Sequence, residues 1–254
     1  MSPLVISWIA FGCIFGGMLL GMVLQRVLPD HHMSKESKDI MKMVTAMIAT
    51  LAALVIGLLI ASAKGSFDTI NNGIIQNGSK IILLDRVMAQ YGPETREARV
   101  LLRRGVASRI EQLWPNERTG QTEAKDLDPG AVIEGLQGKL RQLSPQNNDQ
   151  RWLQSRALQV SGDIAEKLWF LIEQKEQSSL PMPFLVMLVS WLVIIFFIFG
   201  LFSPRNATVI VVLLLGTLSA AGSLYLTQEL DHPYGGLIQV SSAPLRNALI
   251  YLAR

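Results

Sequence analysis

The chain has 254 residues, of which half are hydrophobic and only 17% are Asp, Glu, Lys or Arg. Soluble domains contain about a quarter charged residues, so this composition argues against an ordinary soluble protein and favours a membrane protein. The formal net charge of +3 is small and gives no indication of a nucleic-acid partner.

Four stretches are long and apolar enough to cross a bilayer as helices, which takes about 20 residues each. They are residues 3–24, 43–63, 184–202 and 207–226, and none of them contains Asp, Glu, Lys, Arg or His. The first stretch begins with Met-Ser-Pro-Leu, without a basic segment, and no cleavage site follows it. We therefore interpret it as a membrane span and not as a signal peptide.

We predict an all-α, multi-pass membrane protein with a helical polar domain inserted between spans two and three. Four parts are expected: a transmembrane hairpin over residues 1–63, a helical insert outside the membrane over 64–183, a second transmembrane hairpin over 184–228, and a tail over 229–254 with a short amphipathic helix. No stretch of the insert shows the strict alternation of a half-buried strand.

Span one contains Gly12, Gly16, Gly17 and Gly21, which form two G-x-x-x-G spacings. Faces without side chains let a second helix approach closely, and this favours helix association in lipid. We expect this face to pack against span two of the same chain, and a contact between subunits is the alternative.

Span two carries a stripe of residues spaced by four, Thr50, Leu54, Leu58 and Ser62. Around the axis of an oligomer, such a stripe would give a polar mouth, a narrow apolar constriction and a wet exit. Apolar constrictions of this kind gate ion flow by dewetting. The alternative is that the stripe faces lipid or a neighbouring helix.

Polar residues continue beyond span two without an evident break, so we expect one long helix that leaves the bilayer. In a channel these residues would form a vestibule, and otherwise they form a solvated helix surface. We assign seven polar residues to a vestibule or to the membrane boundary: Lys64, Asp68, Asn72, Asp85, Arg86, Glu229 and Asp231.

The insert is predicted to be helical throughout. Leu102, Val106, Ile110 and Leu113 recur at helical spacing, and Pro115 ends that helix. A short helix in "AVIEGLQGKLRQL" and a long one in "SPQNNDQRWLQSRALQVSGDIAEKLWFLIEQKEQ" are expected to follow.

The tail after span four carries Glu229 and Asp231, then a Gly235-Gly236 turn and a short apolar helix. We expect a helix cap followed by a re-entrant helix or an amphipathic helix that lies on the membrane surface. The alternative is an ionic cluster in which Glu229 or Asp231 pairs with Arg86, Arg96 or Arg246.

Metal binding and catalysis are not indicated by the sequence. His31 and His32 are adjacent, and no further His or Cys completes a coordination shell near them. The single cysteine, Cys13, lies within a span, and no nucleophile elbow, phosphate-binding glycine loop or zinc-protease motif is present. We expect no metal, no cofactor and no enzyme.

Two stretches resemble the bestrophin-like domain family of bacterial and plant membrane proteins. The first is "ALVIGLLIASAKGSFD", followed by "LLDRVMAQYGPETREAR" and "LWP", and the second is "LYLTQELDHPYGGLIQVSSAPLRNAL". The family name implies a distant relation to bestrophins, which are pentameric anion channels with a pore lined by span two.

The resemblance implies a homo-oligomer, expected to be a pentamer, in the bacterial inner membrane. Its implied partners are the lipid bilayer and small inorganic ions, and Thr50, Leu54 and Leu58 would occupy the hydrophobic neck. This neck would be built from Leu and Thr where bestrophins use Phe and Ile, and no acidic run follows span four to bind calcium. The leading hypothesis is an ion channel, and the alternative is a non-conducting scaffold or signalling protein whose insert binds a partner.

Overall fold

The computed structural model describes residues 2–27, 35–115, 127–176, 182–204 and 206–253. These residues are almost entirely helical and contain no strand, as the sequence predicts. The helices are α1 (Pro3–Leu24), α2 (Lys35–Tyr91), α3 (Arg96–Leu113), α4 (Pro129–Arg141), α5 (Asn148–Glu176), α6 (Met182–Phe202), α7 (Ala207–Leu230) and α8 (Ala243–Leu252).

The chain divides into two compact units. One comprises Met1–Ser66 and Ser178–His232, and we call it the membrane unit; the other comprises Phe67–Gln177 and Pro233–Arg254, and we call it the polar unit. Four helices in the described residues are long and apolar enough to span a membrane, namely α1, α2, α6 and α7.

Helix α2 is continuous over 57 residues and contributes to both units. No proline interrupts it, and it ends before Gly92, whose φ of 137° lies in the region that favours glycine. Pro93 then opens a short 3₁₀ turn that leads into α3. The expectation that span two continues as one long helix is confirmed.

In the membrane unit, α1 packs on α6 and α7 through close backbone contacts. A Cβ atom placed on Gly21 would collide with the carbonyl oxygen of Phe197 in α6, and one placed on Gly200 of α6 would collide with that of Met18. The expected partner of the span-one glycines was therefore wrong, because Gly17 and Gly21 face span three and not span two. Both faces of an apolar helix look alike in sequence, so the pattern alone does not identify the neighbour.

In the polar unit, the second part of α2 packs with α3, α4, α5 and α8 around large aliphatic side chains. Leu84, Ile110, Leu136 and Leu140 are fully buried there. The four residues of α3 that recur at helical spacing, Leu102, Val106, Ile110 and Leu113, all lie in this core, as predicted. The helices predicted in the rest of the insert correspond to α4 and α5.

The tail returns to the polar unit. Trp114 donates its indole N–H to the carbonyl oxygen of Val240 over 2.9 Å, and α8 packs against α3. Leu245, Ala248 and Leu252, which form the apolar face of α8, are buried in the core of the polar unit. The expected membrane-surface helix was wrong because an apolar face of this kind suits a protein core as well as a bilayer.

Candidate functional site

The predicted stripe of α2 is uncovered within the membrane unit. Thr50, Leu54, Leu58 and Ser62 are all exposed, with Leu54 at 62% and Leu58 at 63%. Small residues on the other side of the helix, such as Ala52 and Ala63, are buried. This packed side also includes half-buried Val55 and Leu59, whereas the face with Leu54 and Leu58 stays exposed in the described part of the chain.

The stripe continues at helical spacing in the polar unit. Its exposed positions there are three or four residues apart, which matches the 3.6-residue repeat of a helix. They are Thr69, Asn72, Gln76, Ser79, Leu83, Arg86 and Gln90. The side chains along the uncovered face thus change from apolar in the membrane unit to mostly polar in the polar unit.

Two hydroxyl groups on this face bond within their own helix. Thr50 donates to the carbonyl oxygen of Ala46 over 2.8 Å, and Ser79 donates to that of Ile75 over 3.2 Å. A hydroxyl that donates to a carbonyl of its own helix needs no hydrogen-bond acceptor on a neighbouring helix. Thr50 therefore does not require a polar partner in apolar surroundings.

The seven predicted vestibule or boundary residues have different environments. Lys64, Asn72 and Arg86 are exposed, whereas Asp68 and Asp231 are half-buried and Asp85 and Glu229 are buried. The charged groups of Asp85 and Arg86 lie 3.6 Å apart. The pairing of Glu229 or Asp231 with Arg86, Arg96 or Arg246 would join residues of different units and stays a prediction.

Asp85 lies inside the polar unit, where it pairs with Arg99. The carboxylate is 1% exposed and accepts hydrogen bonds from Nε of Arg99 at 2.7 Å and from Nη2 at 3.1 Å. These bonds raise the pKa of the Arg99 guanidinium, although burial acts in the opposite direction. The pair ties α2 to α3 across the turn at Gly92.

Arg99 is not among the residues predicted from the sequence, and its partner Asp85 is predicted to lie in a vestibule or at the membrane boundary. A signal was present, because Asp85 follows Ile81 and Leu84 at spacings that place it on the buried side of α2. An acidic residue on such a face requires a cationic partner, since unpaired buried charges are costly. The spacing does not show which of the arginines of α3 supplies it.

Metal binding finds no support in the described part of the chain, where His, Cys, Asp and Glu form no group of three or more. His31 and His32 lie outside the described residues. Cys13 is a free, exposed thiol on α1.

Comparison with known proteins identifies the family to which this chain belongs. The family model described as "Bestrophin-like domain" matches residues 12–245, which is most of the chain. The protein belongs to the bestrophin-like family. Among curated proteins, no significant match to the sequence is found.

Solved structures of a bacterial bestrophin homologue from Klebsiella pneumoniae share the fold of this bestrophin-like protein. One is a point mutant, with a TM-score of 0.66 and 12% identity. A second, phased on zinc, has a TM-score of 0.65 and 13% identity. Each comparison covers 94% of this chain and 97% of the homologue. Together with the four apolar helices, the family identifies an integral membrane protein.

Proposed function

We propose that this bestrophin-like protein is a homo-oligomeric ion channel, a pentamer of the bacterial inner membrane, whose pore is lined by the uncovered face of α2. The observation that carries the proposal is the exposure of Leu54 and Leu58 on a helix whose opposite face is packed. In an oligomer whose subunits surround an axis, this face of α2 from each subunit would line the pore.

The side chains on this face suit a gated path for ions. Leu54 and Leu58 would form the narrow apolar girdle, which excludes ions when it is dry and conducts when it is wet. Thr50 before it and Ser62 after it would supply hydroxyl groups at the two ends. The polar residues from Thr69 onward would then hydrate an ion in a vestibule.

Small anions are the proposed cargo. Between Thr50 and Gln90 of α2, the exposed residues with an ionisable side chain are Lys64 and Arg86, and both are basic. The acidic residues of the same segment are less accessible, since Asp68 is half-buried and Asp85 is paired with Arg99. A path lined by positive charge raises the local concentration of anions.

A second candidate function is a non-conducting scaffold that binds a protein partner through the polar unit. The observation that favours it is Trp152 on α5, which is 64% exposed. Tryptophan is enriched among the residues that contribute most to binding energy at protein interfaces. In this alternative, α2 would only hold the polar unit rigidly.

The test is anion flux in liposomes that contain the purified full-length chain. We expect chloride efflux above that of empty liposomes, and several-fold faster efflux for Leu54→Ala and Leu58→Ala because smaller side chains let water wet the girdle. Leu215→Ala is the matched control, since Leu215 on α7 is also an exposed leucine, at 58%, and is expected to leave the flux unchanged.

Either of two outcomes would reject the channel. One is an absence of flux for the wild type and both girdle variants. The other is a particle image of a monomer, or of a closed dimer in which Leu54 and Leu58 pack against protein. In both cases the scaffold becomes the leading function, and Trp152→Ala is then expected to abolish partner capture.

A further inference from the structure

A small cavity lies in the polar unit, between five of its helices. Its volume is about 70 Å³, and residues from α2, α3, α4, α5 and α8 line it. Of the described residues around it, Asn77 and Arg109 carry polar side chains, and the others are aliphatic residues, proline and glycine. The cavity is therefore an apolar chamber with two polar groups.

The wall of this chamber is well defined by local structure. Asp128 caps α4 by accepting hydrogen bonds from the backbone N–H groups of Gly130 and Ala131, and Pro129 occupies the first helical position beside the cavity. Gly105 of α3 lets α4 approach closely, since an added Cβ would lie 2.5 Å from Cγ1 of Val132. These contacts fix α3 and α4 on either side of the space.

Arg109 brings a positive charge to this apolar lining. Loss of water around the guanidinium lowers the pKa of Arg109, and the Tyr234 phenol is the ionisable group that acts against this shift. Among the described residues, no carboxylate forms an ion pair with it. A partly buried charge without an anionic partner is costly, so an anion in the cavity would relieve it.

Asn77 is the second polar group without compensation. Its side chain is 8% exposed, and its Oδ1 atom is buried without a hydrogen-bond partner within the described structure. More than nine in ten buried polar groups in proteins do have such a partner. Asn77 therefore indicates that a polar molecule completes this site.

Other buried polar groups of the same unit contrast with these two. Asp85 pairs with Arg99, Thr95 donates to the carbonyl oxygen of Met88 over 2.7 Å, and Trp114 donates to Val240. The core of the polar unit thus satisfies its polar groups where they serve the fold. The cavity departs from this pattern at Asn77, beside the partly buried charge of Arg109.

We infer that the cavity binds a short-chain aliphatic monocarboxylate. The guanidinium of Arg109 would pair with the carboxylate, which matches its planar donor geometry. The carboxamide of Asn77, after a half-turn about its last bond, would donate an N–H to the ligand. The alkyl part would occupy the aliphatic lining contributed by residues such as Leu102, Ile133 and Leu168.

Size and polarity narrow the class of ligand. A dry apolar cavity of about 150 Å³ holds the six carbons of benzene, so a cavity of about 70 Å³ suits acetate or propionate better than butyrate, which has as many heavy atoms as benzene. A sulfate or phosphate would leave oxygen atoms unbonded against the aliphatic wall. Chloride would pair with Arg109 but would leave the apolar space empty.

The test is the thermal unfolding of the full-length protein in detergent with added sodium propionate. Propionamide, which has the same shape without the charge, and sodium chloride at equal ionic strength are the controls. At tenfold excess over its Kd, propionate is expected to raise Tm by about 3 °C. An absent shift, or an equal shift with propionamide or chloride, would overturn the inference.

Substitutions then locate the site. Arg109→Met removes the charge and keeps an unbranched apolar stem, and we expect it to weaken propionate binding about 10- to 100-fold in calorimetry. Arg103→Met is the matched control, because Arg103 is an exposed arginine of the same helix and is expected to leave binding unchanged. Wild-type affinity in the Arg109→Met variant would contradict the assignment.

The same variant separates a binding role from a structural one. If the charge of Arg109 serves a ligand, Arg109→Met in the absence of propionate is expected to keep or raise Tm, since an uncompensated charge is removed. A lower Tm together with no response of the wild type to propionate would make Arg109 structural. Should the variant fail to fold, the wild-type titration alone decides. None of these measurements depends on ion conduction.

Discussion

The two parts of helix α2 bury different kinds of side chain. In the membrane unit its buried positions include Thr45, Ala52 and Ala63, whereas in the polar unit they include Ile74 and Leu84. Lipid chains are as apolar as leucine, so helices in a membrane gain little by burying large aliphatic groups and associate through close contact of small residues. In water, burial of large aliphatic groups is the main driving force.

The difference shows that one helix follows two packing rules along its length. The membrane unit depends on backbone approach, as at Gly21 and Gly200, and the polar unit depends on aliphatic volume and on ion pairs such as Asp85 with Arg99. If this comparison is right, glycine substitutions will cost most in the membrane unit, and truncations of large aliphatic side chains will cost most in the polar unit.

The largest effect is expected from Gly21→Leu. A side chain at this position meets the backbone of Phe197 and Leu201, which cannot move aside as a flexible side chain can. We expect loss of monodisperse protein in size-exclusion chromatography. Gly12→Leu is the control, because nothing lies within 4 Å of a Cβ there. Equal behaviour of the two variants would break the proposed rule for the membrane unit.

The second effect is expected from Leu84→Ala in the polar unit. Leu84 is fully buried, and the lost burial and the cavity left behind should lower the free energy of unfolding by about 3 kcal/mol. Thermal unfolding should show a decrease in Tm of about 6–12 °C. Leu83→Ala, an exposed neighbour on the same helix, should cost far less. A smaller loss for Leu84→Ala than for Leu83→Ala would refute the assigned core.

The third effect is expected from Arg99→Met. It leaves the Asp85 carboxylate buried with Arg86 at 3.6 Å as its remaining cation, and about 2 kcal/mol of stability should be lost. This figure lies below that of a fully buried pair because the Arg99 side chain is 30% exposed. Arg96→Met, at an exposed site of α3, is the control for chemical denaturation. The double variant Arg99→Met with Asp85→Leu should recover most of the loss.

The smallest effect is expected from Glu97→Gln. Lys139 donates a 2.6 Å hydrogen bond to Glu97, and this bond and the charge of Lys139 lower the pKa of the Glu97 carboxyl group. A carboxyl with a lowered pKa favours the folded state above its ordinary pKa, and that contribution is lost as the pH falls below it. Because Glu97 is exposed, solvent screens the pair, and Tm should not change measurably at pH 7 or pH 3. A clear decrease at pH 7 would show that surface pairs matter more here than expected.

Much of the fold is predictable from periodicity and composition. The buried face of α3 and the continuity of α2 are local properties, since they depend on apolar spacing and on the absence of proline between Pro29 and Pro93. The contact partners of helices are not local. The Gly17–Gly21 face would fit any close neighbour, and the apolar face of α8 would fit a bilayer or a core. Asp85 and Arg99 likewise become partners only once the turn at Gly92 has folded back.

The candidate site was predictable to a similar extent. The spacing of Thr50, Leu54, Leu58 and Ser62 places them on one side of a helix, and the structure leaves that side uncovered. Their role as pore lining stays a prediction, because no neighbour of this face lies in the described part of the chain. The cavity at Asn77 and Arg109 had no sequence signal, since five separate helices enclose it.

The unbroken length of α2 also has a geometric consequence for how the chain tolerates insertions. Each residue of a helix turns the chain by about 100°, so one added residue between Ser62 and Thr69 would rotate everything after it by more than a quarter turn. Seven added residues would restore the angle to within about 20°. The number of residues in α2 therefore determines the rotation about the helix axis between its two ends, and a single insertion changes this rotation far more than it changes the length of the helix.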